Sequence, residues 1–215
     1  MAIAKEQLTG TKKSLVDAAA TLIAERGFDA VTVREITGKA GTNIASVKYH
    51  FGSKEELIDA VVANFVLPVN LGRLARIDRL EEVGDFCAED LLRAFLEPML
   101  SKIKGSPLSE KLFCQLMGRM IGERPYEFPE QVMGQFREVA ARYVPAFIKA
   151  EPGLTEEDVF WRIHFSFGVM SNMLTNGELL KKVASGKVGE EQLEKTLSRV
   201  IDFCAAGFKQ GGTKR

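Results

Sequence analysis

The stretch 32–57, TVREITGKAGTNIASVKYHFGSKEEL, limits what this chain can fold into more than any other. Thr32 and Glu35 stand at the spacing of a capping box, so a helix opens at residue 33. Val33, Ile36 and Ala40 form its inward face, and Gly41 ends it. The turn Gly41-Thr42-Asn43 is tight, and Asn43 suits the N-cap of the next helix. Ser53 and Glu56 repeat the capping-box spacing, so a further helix opens there. Two short helices around a glycine turn are the sequence form of a helix-turn-helix, whose second helix lies in the DNA major groove.

The second of these helices, about 44–50, divides into two faces at about 100° per residue. Val47 and Phe51 share one face with Ile44 beside them, and that face belongs in a small core. Ala45, Ser46 and Tyr49 lie opposite, flanked by Lys48 and His50. Small residues let the helix backbone approach base edges, and Ala45 can meet a thymine methyl. Tyr49 can reach bases or phosphate; Lys48 and His50 suit phosphate oxygens. His50 has a second reading, as a packing or capping residue, and Arg34 a second reading as a solvated helix residue. Between residues 32 and 54 four basic residues (Arg34, Lys39, Lys48, Lys54) face one acidic residue, Glu35. Lys54 and the helix N-terminus beside it make an anion site suited to a backbone phosphate.

Upstream, residues 11–26 carry Leu15, Ala18, Ala19, Leu22 and Ile23 at helical spacing, with Thr11 as the expected N-cap. Gly27 suits the left-handed position beyond the helix, and Phe28 can fold back to close it. Three short helices thus bury one small core.

The phrases TVREITGKAG and NIASVKYHFGSKEEL, preceded by LVDAAATLIAERGFDAVTV, resemble the DNA-binding domain of the TetR family of transcriptional regulators over roughly residues 10–57. Family members often carry a tyrosine where Lys48 stands; here the aromatic is one step later, at Tyr49. The resemblance implies DNA contact by Thr32, Arg34, Thr42, Asn43, Ala45, Ser46, Lys48, Tyr49, His50 and Lys54. It also implies an all-α chain: a helix-turn-helix domain at 1–52, extended by the start of a linking helix at 53–57, and a ligand-binding and dimerisation domain at 58–215.

The linking helix reads from 57 to about 80, with Pro68 expected to kink or break it. Beyond residue 85 there is no strand alternation. Helices are expected at about 86–104, 108–123, 129–149, 155–176 and 190–209, bent at Pro145. Gly105-Ser106-Pro107, Arg124-Pro125, Glu151-Pro152-Gly153, Gly186 and Gly189 punctuate them. The 155–176 segment is apolar nearly all round, and 190–209 carries the stripe Leu193, Leu197, Val200, Ile201, Cys204 and Phe208, with Phe203 off it. By resemblance these two helices pair with their twins in a homodimer through Phe160, Ile163, Phe167 and Leu174 of one, and Leu197, Ile201 and Phe203 of the other. A dimer suits a palindromic operator.

Apart from Met1, every methionine lies between residues 99 and 173. Methionine and phenylalanine together build adaptable apolar walls. One reading is an effector cavity lined by Phe95, Met99, Phe113, Met117 and Met120, continued by Phe136, Tyr143, Phe147 and Met170, with Arg119 or Arg137 meeting an acidic head. The other is an ordinary helical core. The phrase FWRIHF at 160–165, with VKYH at 47–50, resembles a TetR subgroup linked to fatty-acid metabolism, which implies a fatty acid or acyl-CoA effector.

Charge balances at 29 basic against 29 acidic residues, so DNA affinity must come from a local patch. Three scattered cysteines, without a CxxC pair, point to buried thiols in a reducing compartment. The start MAIAKEQLTGTKK lacks the apolar run of a signal peptide, and the apolar stretch 61–71 is too short for a bilayer, so a soluble cytoplasmic protein is expected. Two histidines, no metal-ligand spacing, no GxSxG and no phosphate loop leave an enzyme little to work with, and no cofactor is implied. The expected function is a dimeric, ligand-responsive repressor; an architectural DNA-binding protein of the same fold without effector is the alternative.

Overall fold

The computed structural model describes residues 8–122, 128–188 and 193–209, and every element among them is a helix. The elements are α1 (Gly10–Arg26), α2 (Val33–Ala40), α3 (Ile44–Phe51), α4 (Lys54–Val83), α5 (Ala88–Lys104), α6 (Glu110–Gly122), α7 (Glu130–Ala150), α8 (Glu156–Val183) and α9 (Leu193–Lys209). The leading segment 1–7, the Arg124-Pro125 and Gly189 breaks, and the tail 210–215 lie outside the described residues.

The helices gather into two compact units. One takes the described residues of Met1–Phe65 and Pro107–Pro129; the other takes those of Val66–Ser106 and Glu130–Arg215. The first unit therefore extends past residue 52 along α4 and recruits α6 from far down the chain. Leu15, Ala19, Leu22 and Ile23 of α1, Ile36 of α2 and Val47 of α3 are buried in it. Phe113 and Leu116 of α6 are fully buried there too, with the Phe65 and Phe113 rings 5.5 Å apart. Arg119 of α6 donates from Nε to the Ala24 carbonyl at 2.9 Å and from Nη2 to the Glu25 carbonyl at 3.3 Å. A cation on the last carbonyls of α1 satisfies acceptors the helix cannot and opposes the negative end of its dipole.

In the second unit α5, α7, α8 and α9 pack together around Tyr143, Phe147 and Phe208. The Phe147 and Phe208 rings stack with centroids 4.3 Å apart. The α4 helix joins this core where Gly72 meets Pro98: a Cβ at Gly72 would sit 3.0 Å from the proline Cβ. Pro98 removes a donor from α5 and crowds the turn before it. Arg73 supplies a donor to that turn, from Nε to the Phe95 carbonyl at 2.9 Å.

Several local expectations shift. Residue Thr11 lies inside α1, whose N-cap is Thr9 without a side-chain bond. Pro68 neither ends nor interrupts α4, which runs on for fifteen residues to Val83. Its apolar stripe, Leu57, Ile58, Val61, Val62, Phe65, Val69 and Ile77, is buried enough to hold the turns on both sides of the lost bond. By length and mean hydropathy, 1.4 over an 18-residue window, α4 could cross a membrane, contrary to the expectation from 61–71 alone; 44% of that window is buried inside the protein. Helix α8 begins at a Thr155–Asp158 capping box, in line with the expected start at 155, but continues past 176 to Val183. Cys114 and Cys204 are buried, whereas Cys87 is exposed at the N-cap of α5. Burial pushes the Cys114 thiol up to about 11.

Candidate nucleic-acid interface

The turn between α2 and α3 is closed almost entirely by residues within five positions of one another. Glu35 N–H donates to Thr32 Oγ1 at 3.3 Å, while the Thr32 amide and hydroxyl donate to Glu35 Oε2 at 2.9 and 2.7 Å. The other carboxylate oxygen receives Arg26 Nη1 at 2.7 Å, tying the end of α1 to the start of α2. The Thr32 hydroxyl and amide, then Arg26, hold the Glu35 carboxyl down at about 2. Gly41 takes the left-handed conformation (φ 67°, ψ 33°), and the Thr42 amide donates back to Thr37 O at 2.9 Å. Asn43 Oδ1 then accepts both the Ser46 amide at 3.0 Å and the Ser46 hydroxyl at 3.2 Å.

These caps present α3 with one side in the core and the other bare. Val47 is 3% exposed, and Tyr49, two positions on, is 85% exposed. Ala45 and Lys48 are exposed with Tyr49; Ser46 and His50 are half-buried. The His50 ring meets the Tyr49 ring edge-on at 4.9 Å. Thr32, Arg34 and Asn43 are exposed and Thr42 is half-buried. Lys54 is half-buried, its Nζ 3.3 Å from the Phe28 carbonyl. Ser53 Oγ accepts the Glu56 amide at 3.0 Å, capping α4.

One residue departs from the expected facing. Ile44 is 58% exposed and stands outside the core. It occupies the first turn of an eight-residue helix, ahead of the turn that packs. Phe51, at the other end, is half-buried. Val47 alone of α3 is buried.

The residues expected around an effector divide between the units. Phe113, Met117 and Met120 belong to the first, and Phe95, Met99, Phe136, Tyr143, Phe147 and Met170 to the second. Phe95, Tyr143 and Phe147 are adjacent rings, at 5.3 and 6.4 Å between centroids. Neither arginine expected to meet an acidic head is placed for it: Arg119 holds the end of α1, and Arg137 is exposed and paired with Glu130. The interior cation is Arg73, which the sequence reading passed over. Its signal was its register, four residues after Val69 and four before Ile77, both buried. Burial pulls its guanidinium down to about 10, with Tyr143 opposing the shift.

The expected dimer residues also divide. Leu197 and Ile201 are buried within the chain's own second unit, because the apolar stripe of α9 faces inward; Phe203, off that stripe, is 70% exposed. Ile163, Phe167 and Leu174 are half-buried, and Phe160 is exposed. The open face of α8 instead follows Trp161, Phe165, Gly168, Asn172, Asn176, Leu179 and Val183, all exposed. Their spacing of three and four residues is one helical stripe, legible on a wheel but hidden by the apolar neighbours around it. Trp161 and Phe165 stack on it at 5.6 Å, and Asn176 donates to Asn172 Oδ1 at 2.8 Å.

Known proteins place this architecture. Residues 15–61 match the family model described as bacterial regulatory proteins, tetR family, and residues 93–207 match the tetracyclin repressor-like C-terminal domain. The HTH-type transcriptional repressor KstR2 of Rhodococcus jostii (strain RHA1) is 26% identical over 159 residues, 74% of each chain. The HTH-type transcriptional dual regulator CecR of Shigella flexneri is 47% identical over 58 residues, 26% of each chain. Among solved structures, a TetR family transcription regulator from Marinobacter aquaeolei VT8 superimposes with a TM-score of 0.65 at 16% identity, over 92% of this chain and 94% of that one. The fatty acid degradation regulator FadR of Bacillus halodurans gives 0.55 at 16% identity, over 93% and 97%, a likeness of fold.

Proposed function

This chain belongs to the TetR family of bacterial regulatory proteins, as a DNA-binding transcriptional repressor of TetR type, and from that premise we propose a dimeric, ligand-responsive repressor acting in the cytoplasm. It holds a palindromic operator until a small hydrophobic effector, a fatty acid or acyl-CoA, releases it. The observation that carries the DNA reading is the bare face of α3, where Tyr49 projects beside Ala45 and Lys48 from a helix fixed by the Asn43 cap. Arg34 and Thr32 at the start of α2 suit phosphate on the same duplex, and Thr42, Asn43, Ser46, His50 and Lys54 complete the proposed contact set. Homodimerisation is supported by the exposed Trp161, Phe165, Leu179 and Val183 of α8 together with Phe160 and Phe203, which would leave water on pairing. The effector reading is supported by the aromatic interior of the second unit and by α4, one helix with residues in both units. Half-sites about 34 Å apart make a displacement of a few ångströms between two α3 helices costly to binding.

Footprinting on the intergenic DNA flanking the gene tests this. A protected palindrome is expected, with a log–log salt slope that steepens by about 0.9 for each phosphate neutralised. Binding that ignores sequence would overturn the repressor reading and leave an architectural protein.

A further inference from the structure

The interior of the second unit contains a charge without a counter-charge. Arg73 is 4% exposed, and Asn70 is fully buried one turn before it. Nε of Arg73 is occupied by the Phe95 carbonyl, and Nη1 donates to Asn70 Oδ1 at 2.9 Å. The guanidinium lies over the Phe95 ring, 4.0 Å from its centroid. No carboxylate among the described residues pairs with it. Two donors are left over: Arg73 Nη2 and Asn70 Nδ2 are buried without a hydrogen-bond partner among the described residues. The Nη1–Oδ1 bond joins the two side chains, so both donors belong to one hydrogen-bonded pair.

Buried charges are ordinarily paired, and a buried donor left without a partner is destabilising. A native core that keeps both calls for something else on the site. Water could accept the two hydrogen bonds but would leave the charge unopposed. A phosphate dianion would replace one excess positive charge with one excess negative charge. A carboxylate has two acceptor oxygens, a single negative charge and the planar geometry that a guanidinium matches. Two aromatic side chains flank Arg73: Phe95, whose ring the guanidinium overlies, and Tyr143 at its backbone carbonyl. The Tyr143 hydroxyl is already committed, donating to the Arg73 carbonyl at 3.0 Å, and its ring lies against Phe95 and Phe147.

We propose that Arg73 and Asn70 form the head-group site for an amphipathic monocarboxylate whose apolar part lies among Phe95, Tyr143 and Phe147. The proposal rests on the effector reading above and narrows it to one ligand class with one anchoring cation.

The test uses the full chain and a panel of straight-chain and ring-bearing monocarboxylates, each paired with its own alcohol, measured by thermal shift and titration calorimetry. At least one carboxylate should raise the Tm and bind about tenfold or more tightly than its alcohol. Arg73→Met keeps the apolar stem and should erase that preference by weakening the carboxylate alone. Asn70→Asp, nearly isosteric, places a carboxylate permanently beside Arg73. It should raise the Tm of the free protein and cut carboxylate affinity about tenfold, and it decides the matter if Arg73→Met does not fold. The proposal is overturned if no carboxylate binds, if carboxylate and alcohol bind alike, or if either variant keeps the wild-type preference. Operator release separates the two levels. Release by a neutral compound, equal in wild type and Arg73→Met, would retain an effector and discard the anchor. Carboxylate binding that leaves the operator complex intact would retain the anchor and discard the effector reading.

Discussion

The two halves of α4 treat their polar groups in opposite ways. At its start Ser53 caps the helix, Lys54 reaches the Phe28 carbonyl, and the turns just before it are closed by Thr32, Glu35 and Asn43. Twenty residues on, Arg73 and Asn70 enter a core with donors to spare. The turns of the reading head are closed largely by neighbours in sequence, with α6 completing the core behind them. The interior of the second unit keeps two donors unmet, which the proposed monocarboxylate would satisfy.

The largest effect should come from the interior. Phe147→Ala removes a fully buried ring from the stack with Phe208 and should destabilise the protein by about 3–5 kcal/mol in chemical denaturation. A loss below about 1 kcal/mol would mean that this core is looser than the reading head. Within the head, Val47→Ala should cost about 2 kcal/mol, whereas Ile44→Ala should stay within about 0.5 kcal/mol. Equal losses would put Ile44 back in the core. Tyr49→Ala should weaken operator binding by about tenfold, roughly 1.4 kcal/mol, with an unchanged Tm; a lowered Tm would make Tyr49 a packing residue. Thr32→Ala should cost about 1 kcal/mol through the lost cap. The smallest effect is a pH dependence. The Glu35 carboxyl lies near 2 in the folded protein against an ordinary 4.5, so its contribution is complete above about 4.5 and disappears as the pH falls toward 2. Stability curves of wild type and Glu35→Gln should therefore converge over that interval, and parallel curves would show the Thr32–Glu35–Arg26 cluster to be idle.

What could be read beforehand follows the same division. The caps at Thr32, Asn43, Ser53 and Thr155 each depend on a partner three residues away, and all four are where their spacing puts them. The family resemblance rests on the same local phrases and holds across both matched regions. Ile44 misled because a helical wheel assigns a direction without knowing where the neighbouring core ends. Of the kink or break expected at Pro68, the continuity of α4 excludes the break, because the packing on either side offsets the lost hydrogen bond. Arg73 went unremarked because an arginine in an apolar stripe resembles a solvated residue until its surroundings are known. Trp161 and Phe165 lie in the segment expected to be apolar nearly all round, but which side of such a helix is open depends on where α7 and α9 pack.

Arg119 on the end of α1 bears on how such regulators can be recombined. The first unit is assembled from two stretches of chain separated by most of α4 and all of α5. Cutting after the third helix, or anywhere near Phe65, would strip α1 of Phe113, Leu116 and the guanidinium that closes its last turn. A chimaera that grafts this DNA-reading head onto a different sensor must therefore carry α6 as well, or supply a replacement with an apolar face and a cation at that position.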